Sequence, residues 1–204
     1  MPVNLLRETP SQTAGPYVHI GLVPSVAGIQ MRTQENLHVV AGPQTDGEAI
    51  KLEIDLWDGT GAPVTDAVIE LWQADGQGRY RHPLDPKAGE IAADFRGFGR
   101  AASDLKSGHY VFETVKPGAV AGPDGSPMAP HVALTIFSRG INIHLNTRIY
   151  FADEEANAQD PILQLVPPPR RDTLMAARKD GGGTPTYAID IRLQGENETV
   201  FFDV

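Results

Sequence analysis

Two short stretches carry side chains of the kind that hold metals. GRYRH at 78–82 sets Tyr80 between two arginines, and MAPHVAL at 128–134 sets His131 at the head of a short apolar run. A phenolate oxygen suits a hard, highly charged cation, and imidazole is a common ligand of transition metals. Side chains alternate faces along a strand, so a second ligand beside His131 would stand two residues on. Ala133 stands there and offers no donor. From spacing alone, Tyr80 reads as an amphipathic contact residue of an exposed loop, since isolated tyrosine ligands are rare. His131 reads as a hydrogen-bonded core or interface histidine.

SRGINIHLNTR (138–148) offers a different chemistry. Arg139 precedes Gly140 in a tight turn, and Arg148 lies on the strand that follows. A guanidinium fixed at a turn can grip a carboxylate through two parallel hydrogen bonds, or it can form an ordinary surface ion pair. Other catalytic signatures are missing. The chain has no GxSxG, HExxH or phosphate-binding loop, and its six histidines fall at 19, 38, 82, 109, 131 and 144 without close pairing. The carboxylates of DEEANAQD (153–160) read as a solvated loop.

The elements that must position these residues are mostly strands. In AIKLEIDLW (49–57), Ile50, Leu52, Ile54 and Leu56 alternate with charged residues, the period of a half-buried strand. DGTG (58–61) signals a turn, and AVIELWQAD (67–75) a second strand. HYVFETV (109–115), HVALTIFS (131–138), NTRIYF (146–151), YAIDIRLQ (187–194) and TVFF (199–202) follow. One helix is expected near 170–179, after the proline run at 167–169 and before DGGG. Residues 1–47, broken by TAGPY, PSVAG and AGPQTDG, read as an extended N-terminal arm with Tyr17, Val18, Ile20, Leu22 and Val23 to bury. The expectation is an all-β chain, a β-sandwich of mostly antiparallel strands forming a single domain over 1–204, with the arm at 1–47 and the sandwich at 48–204.

Composition narrows the functional classes. With 204 residues, 41% of them hydrophobic, the chain can bury a full core without staples. Having no cysteine, it has no disulfide, thiolate ligand or cysteine nucleophile, which fits a reducing compartment. A net charge of −9 argues against nucleic acid as a partner. MPVNLLRETPSQT lacks the apolar core of a secretory leader, and no apolar run approaches 18 residues. A soluble, cytoplasmic protein is expected.

Taken together, SQTAGPYVHIGL (11–22), VIELWQADGQGRYRH (68–82), VKPGAV (115–120), MAPHVAL, RGINIHLNTRIYF (139–151) and ETVFFDV (198–204) resemble the intradiol ring-cleaving dioxygenases. The likeness is to the α chain of members built from homologous α and β chains. It implies a β-sandwich in which one Fe(III) is held by two tyrosines and two histidines. There a catecholate is activated, O2 attacks, and the ring opens between the two hydroxyl-bearing carbons.

By that resemblance, Tyr80 and His131 are surviving ligand positions. The other two are lost at Val120, in PGAVA where a PGPYP-like turn is expected, and at Ala133, in place of the second histidine of a PAHIH-like strand. Met128 stands where an arginine is expected. The resemblance therefore implies that this chain holds no iron and that the Fe(III) belongs to a partner β chain. The substrate would be a carboxylated or sulfonated catechol, with O2. Thr13, Gly15, Pro16 and Tyr17 of the arm, together with Arg139, would form part of its binding wall. Two rivals remain: a self-sufficient homomeric dioxygenase, opposed by Val120 and Ala133, and a non-catalytic scaffolding sandwich.

Overall fold

Strict alternation makes β1 (Ala49–Trp57) a strand: Ile50, Leu52, Ile54 and Leu56 are each at most 1% exposed, while the charged residues between them face out. Burying each such side chain contributes roughly 1.5–3 kcal/mol. The computed structural model describes residues 12–30, 36–122, 124–179 and 181–203. After β1 come β2 (Val68–Trp72), β3 (Phe98–Ala102), β4 (His109–Val115), β5 (Val120–Ala121) and β6 (Pro127–Met128). Then follow β7 (His131–Phe137), β8 (Leu145–Phe151), β9 (Met175–Lys179) and β10 (Thr186–Arg192).

Eight strands are hydrogen-bonded in the order β3-β2-β7-β8-β9-β10-β1-β4. Pairing is antiparallel except at β1/β10 and β8/β9. The β8/β9 join is only two residue pairs long, Tyr150–Met175 and Phe151–Ala176. It acts as a crease between two four-stranded halves. Across it, the inward residues of β1, β4 and β10 share one core with those of β2, β7 and β8. The end strands β3 and β4 also approach each other. The all-β sandwich expectation holds.

Three expectations need correction. The 170–179 segment is not an α-helix: a 3-10 helix covers Pro168–Leu174, and Met175–Lys179 is strand β9. Met, Ala, Arg and Lys favour helix locally. Pairing with β10 (Lys179–Thr186, Arg178–Tyr187, Ala177–Ala188) satisfies their backbone groups instead. TVFF is not a strand; its contacts are isolated bonds, Thr199 N–H to Arg192 O and Phe202 N–H to Asn146 O. The arm is not simply extended. It contains a short helix α1 (Val18–Leu22) and a 3-10 turn at Pro24–Ala27, and Tyr17 is 74% exposed rather than buried. The first eleven residues, on which the leader reading rests, lie outside the described residues.

Candidate functional site

Two separate groups of the expected residues are assembled. The first lies on the outward face of β7, whose inward face is Val132, Leu134 and Ile136. Trp72 of β2 and Arg148 of β8 flank Ala133 in register, and Tyr150 pairs with His131. Two loops close over this face. Gly78 adopts φ +74°, and its backbone packs against the Ala119 carbonyl so closely that a Cβ would collide with it. This back-to-back contact brings Tyr80 beside Val120.

What fills the space is apolar. Ala74, Val120 and Met128 form a small buried cluster with Tyr80 and Ile162 against it. Val120 and Met128 are partners in the β5/β6 ribbon. Tyr80 is half-buried, not the exposed loop residue its arginine neighbours suggested, and its ring stacks on Trp72 at 5.9 Å with 4° between planes. Burial pushes the Tyr80 phenol above its ordinary pKa, against the pull of the nearby Arg148 guanidinium. Its two arginine neighbours are themselves engaged: Arg79 pairs with Asp75 and Asp46, both at 2.6 Å, and Arg81 donates to the Ala92 carbonyl at 2.6 Å.

His131 is buried, its Nδ1 2.8 Å from the Ala129 carbonyl and its ring 5.9 Å from that of Tyr150. Burial holds its pKa below the usual value. Beneath it lies a residue that sequence reasoning misjudged. Asp160, placed in a solvated loop, is fully buried and accepts hydrogen bonds from the Ala129, Ile162 and Leu163 amides and from the Tyr150 hydroxyl. The apolar Ile-Leu pair two residues beyond it was the available signal.

The second group lies beyond the other end of β7. Gly140, at φ +82°, donates its amide to Thr13 Oγ1 at 2.9 Å, and Thr13 bridges Asn142. The arm is thereby fastened to the turn that carries Arg139. Arg139 is 68% exposed, and its Nε lies 2.9 Å from Asp66 Oδ2. Asp66, a site residue with no sequence signal, lies with Val64, Ser138 and Arg139 in a shallow cleft. Gly15, Pro16 and Tyr17 stand exposed on the arm. Ile143 in the same turn is 52% exposed and holds φ +66°, a strained conformation for a β-branched residue.

The groups are not brought together. Arg139 lies in the turn that follows β7, and the six strand steps from His131 to Phe137, at ~3.3 Å per residue, set the groups about 20 Å apart. No contact between the two groups is recorded among the described residues.

The sequence profile of the dioxygenase family matches residues 24–195. The chain is 50% identical over 205 residues to the protocatechuate 3,4-dioxygenase alpha chain of Pseudomonas putida, covering 100% of both chains. The chain belongs to the intradiol ring-cleavage dioxygenase family. It is also 33% identical to the beta chain of that enzyme from Burkholderia cepacia, over 75% of this chain and 67% of the relative. The fold resembles the dioxygenase domain of a carbohydrate-binding fusion protein from Streptomyces sp. SirexAA-E, at TM-score 0.58 and 20% identity, over 93% of this chain and 99% of that one.

Intradiol dioxygenases generally use Fe(III), and the donor set here does not fit it. Val120 and Ala133 carry no donor atom, which leaves Tyr80 and His131, and a guanidinium stands among the remaining groups.

Proposed function

We propose that this chain is the α subunit of a protocatechuate 3,4-dioxygenase. In this reading it completes the substrate pocket of an iron-bearing β chain for O2-dependent intradiol cleavage of protocatechuate to 3-carboxy-cis,cis-muconate. Ferric iron on the β chain supplies the activation of the catecholate toward O2. This chain supplies shape and charge. Thr13, Gly15, Pro16 and Tyr17 form part of the pocket wall, the Gly-Pro turn allowing close backbone approach. The exposed Arg139 fork meets the substrate carboxylate.

The observation that carries the reading is the separation along β7. Arg139 and the arm fastened to it lie at the far end of β7 from this chain's own ligand remnants, about 20 Å away at ~3.3 Å per residue, which supports their serving a site on another chain. Exposed Tyr17 and strained Ile143 beside them are the surface such a partner would cover. Residues 1–47 are read as arm and 48–204 as sandwich within one domain. A cytoplasmic location accords with the cysteine-free composition, and no described helix is long and apolar enough to cross a membrane. Co-expression with a homologous β chain, followed by metal analysis and oxygen uptake, tests the proposal. Failure of the chains to associate, or a β chain equally active alone, would overturn it.

A further inference from the structure

Missing ligands are only part of what closes this chain to metal. Arg148 stands on β8 directly opposite Ala133, the position of one lost ligand. Its guanidinium reaches Met128 Sδ at 3.5 Å, across the β5/β6 ribbon that also holds Val120. Its charge acts on Tyr80, His131 and Tyr150, against the Asp85 carboxylate at the first and the Asp160 carboxylate at the other two, and Asp160 is already committed to four hydrogen-bond donors. Among the described residues, no carboxylate lies within ion-pair distance of it. A guanidinium carries its charge at every accessible pH, unlike an amine or imidazole that could shed a proton to admit a cation.

We propose that Arg148 is the built-in cation of the former iron site, and that its charge, beyond the two missing ligands, excludes metal from this chain. The inference rests on positions 80, 120, 131 and 133 being the family's ligand positions. It assigns the exclusion to electrostatics. A metal cation entering between Tyr80 and His131 would meet a fixed like charge in a half-buried setting, where screening by water is weak.

The test is made on this chain in complex with its β partner, counting only metal and colour gained beyond those of the complex with the unaltered chain. Ala133→His creates a His-x-His pair with His131 on one strand face, able to bind Ni(II) as the probe. Adding Arg148→Gln should raise its Ni(II) affinity at least tenfold. With the measurements made at neutral pH, where the Lys ammonium keeps its proton, adding Arg148→Lys should raise it little. Equal affinities in all three variants would overturn the proposal, as would Lys and Gln acting alike, which would make bulk the barrier. A variant carrying Val120→Tyr and Ala133→His should stay nearly iron-free until Arg148→Gln is added; full Fe(III) loading without that change would also sink the idea. If Ni(II) responds as expected but the four-ligand variants never develop tyrosinate-to-iron colour, the fault lies in the ligand assignment and not in Arg148.

Discussion

Replacing Arg139 by alanine should damage a reaction whose iron is on another chain. Within this chain the guanidinium is largely exposed and its pairing with Asp66 is worth only about 0–1 kcal/mol, so folding should be nearly unaffected. The substrate contact is another matter. A hydrogen bond to a charged group contributes roughly 1.5–3 kcal/mol. At about 1.4 kcal/mol per decade, Arg139→Ala should lower kcat/KM for protocatechuate by about ten- to a hundredfold. The value should fall toward the upper end, because Asp66, only 15% exposed, is left as an uncompensated anion facing the substrate carboxylate. Adding Asp66→Asn should therefore recover part of the loss. Arg139→Lys should also recover only part, since a point charge cannot reproduce a planar fork. The assay is oxygen uptake by the αβ complex with protocatechuate and with plain catechol. Catechol has no carboxylate, so its turnover should barely change. Equal losses on both substrates would refute the reasoning and make Arg139 an interface residue.

Gly78→Ala should destabilise the chain by about 2–3 kcal/mol or more in urea titration, since it forces a side chain into positive φ and against the Ala119 backbone; a loss below 1 kcal/mol would mean the two loops can part freely. Asp160→Ala strands the Ala129, Ile162 and Leu163 amides and the Tyr150 hydroxyl, and at about 1–3 kcal/mol per stranded group should cost at least about 4 kcal/mol, with Asp160→Asn costing less. Burial raises the pKa of Tyr80, Tyr110, Tyr150 and Tyr187 above 10.0. The unfolded chain ionises first, so the stability they contribute is complete below about pH 10 and lost as pH rises beyond it. Phenolate absorbance of these four appearing near pH 10 without unfolding would contradict their burial.

The strands with strict alternation were legible because one face is buried and the other wet: β1 and β4 begin and end where the sequence places them, and β7 differs by one residue. Strand β3 was not. FGRAA has no apolar alternation, and Gly99 is there because Val40 and Phe112 occupy the space of a side chain. That is a fact of packing, invisible locally. Strand β9 was hidden by helix-favouring residues that neighbouring strands overrode.

The site divides in the same way. Tyr80, His131 and the losses at Val120 and Ala133 could be named from the resemblance, and Arg139 from its turn. Asp66 and Arg148 gain meaning only from partners far away in sequence. Asp66 lies across a cleft from Arg139, and Arg148 faces Met128 and Ala133 on other elements. Charge runs gave the wrong answer at Asp160, where amide donors from two segments converge on one carboxylate that a sequence pattern shows merely as the end of an acidic loop.

The account stands on a division of labour between two chains, and metal content measured chain by chain addresses it directly. This chain, its β partner and their complex are purified separately and analysed for iron, visible absorbance and protocatechuate-dependent oxygen uptake. The complex should contain one iron per αβ pair and take up oxygen, while this chain alone should have no iron, no tyrosinate-to-iron colour and no uptake. Stoichiometric iron and oxygen uptake in this chain without its partner would contradict the account.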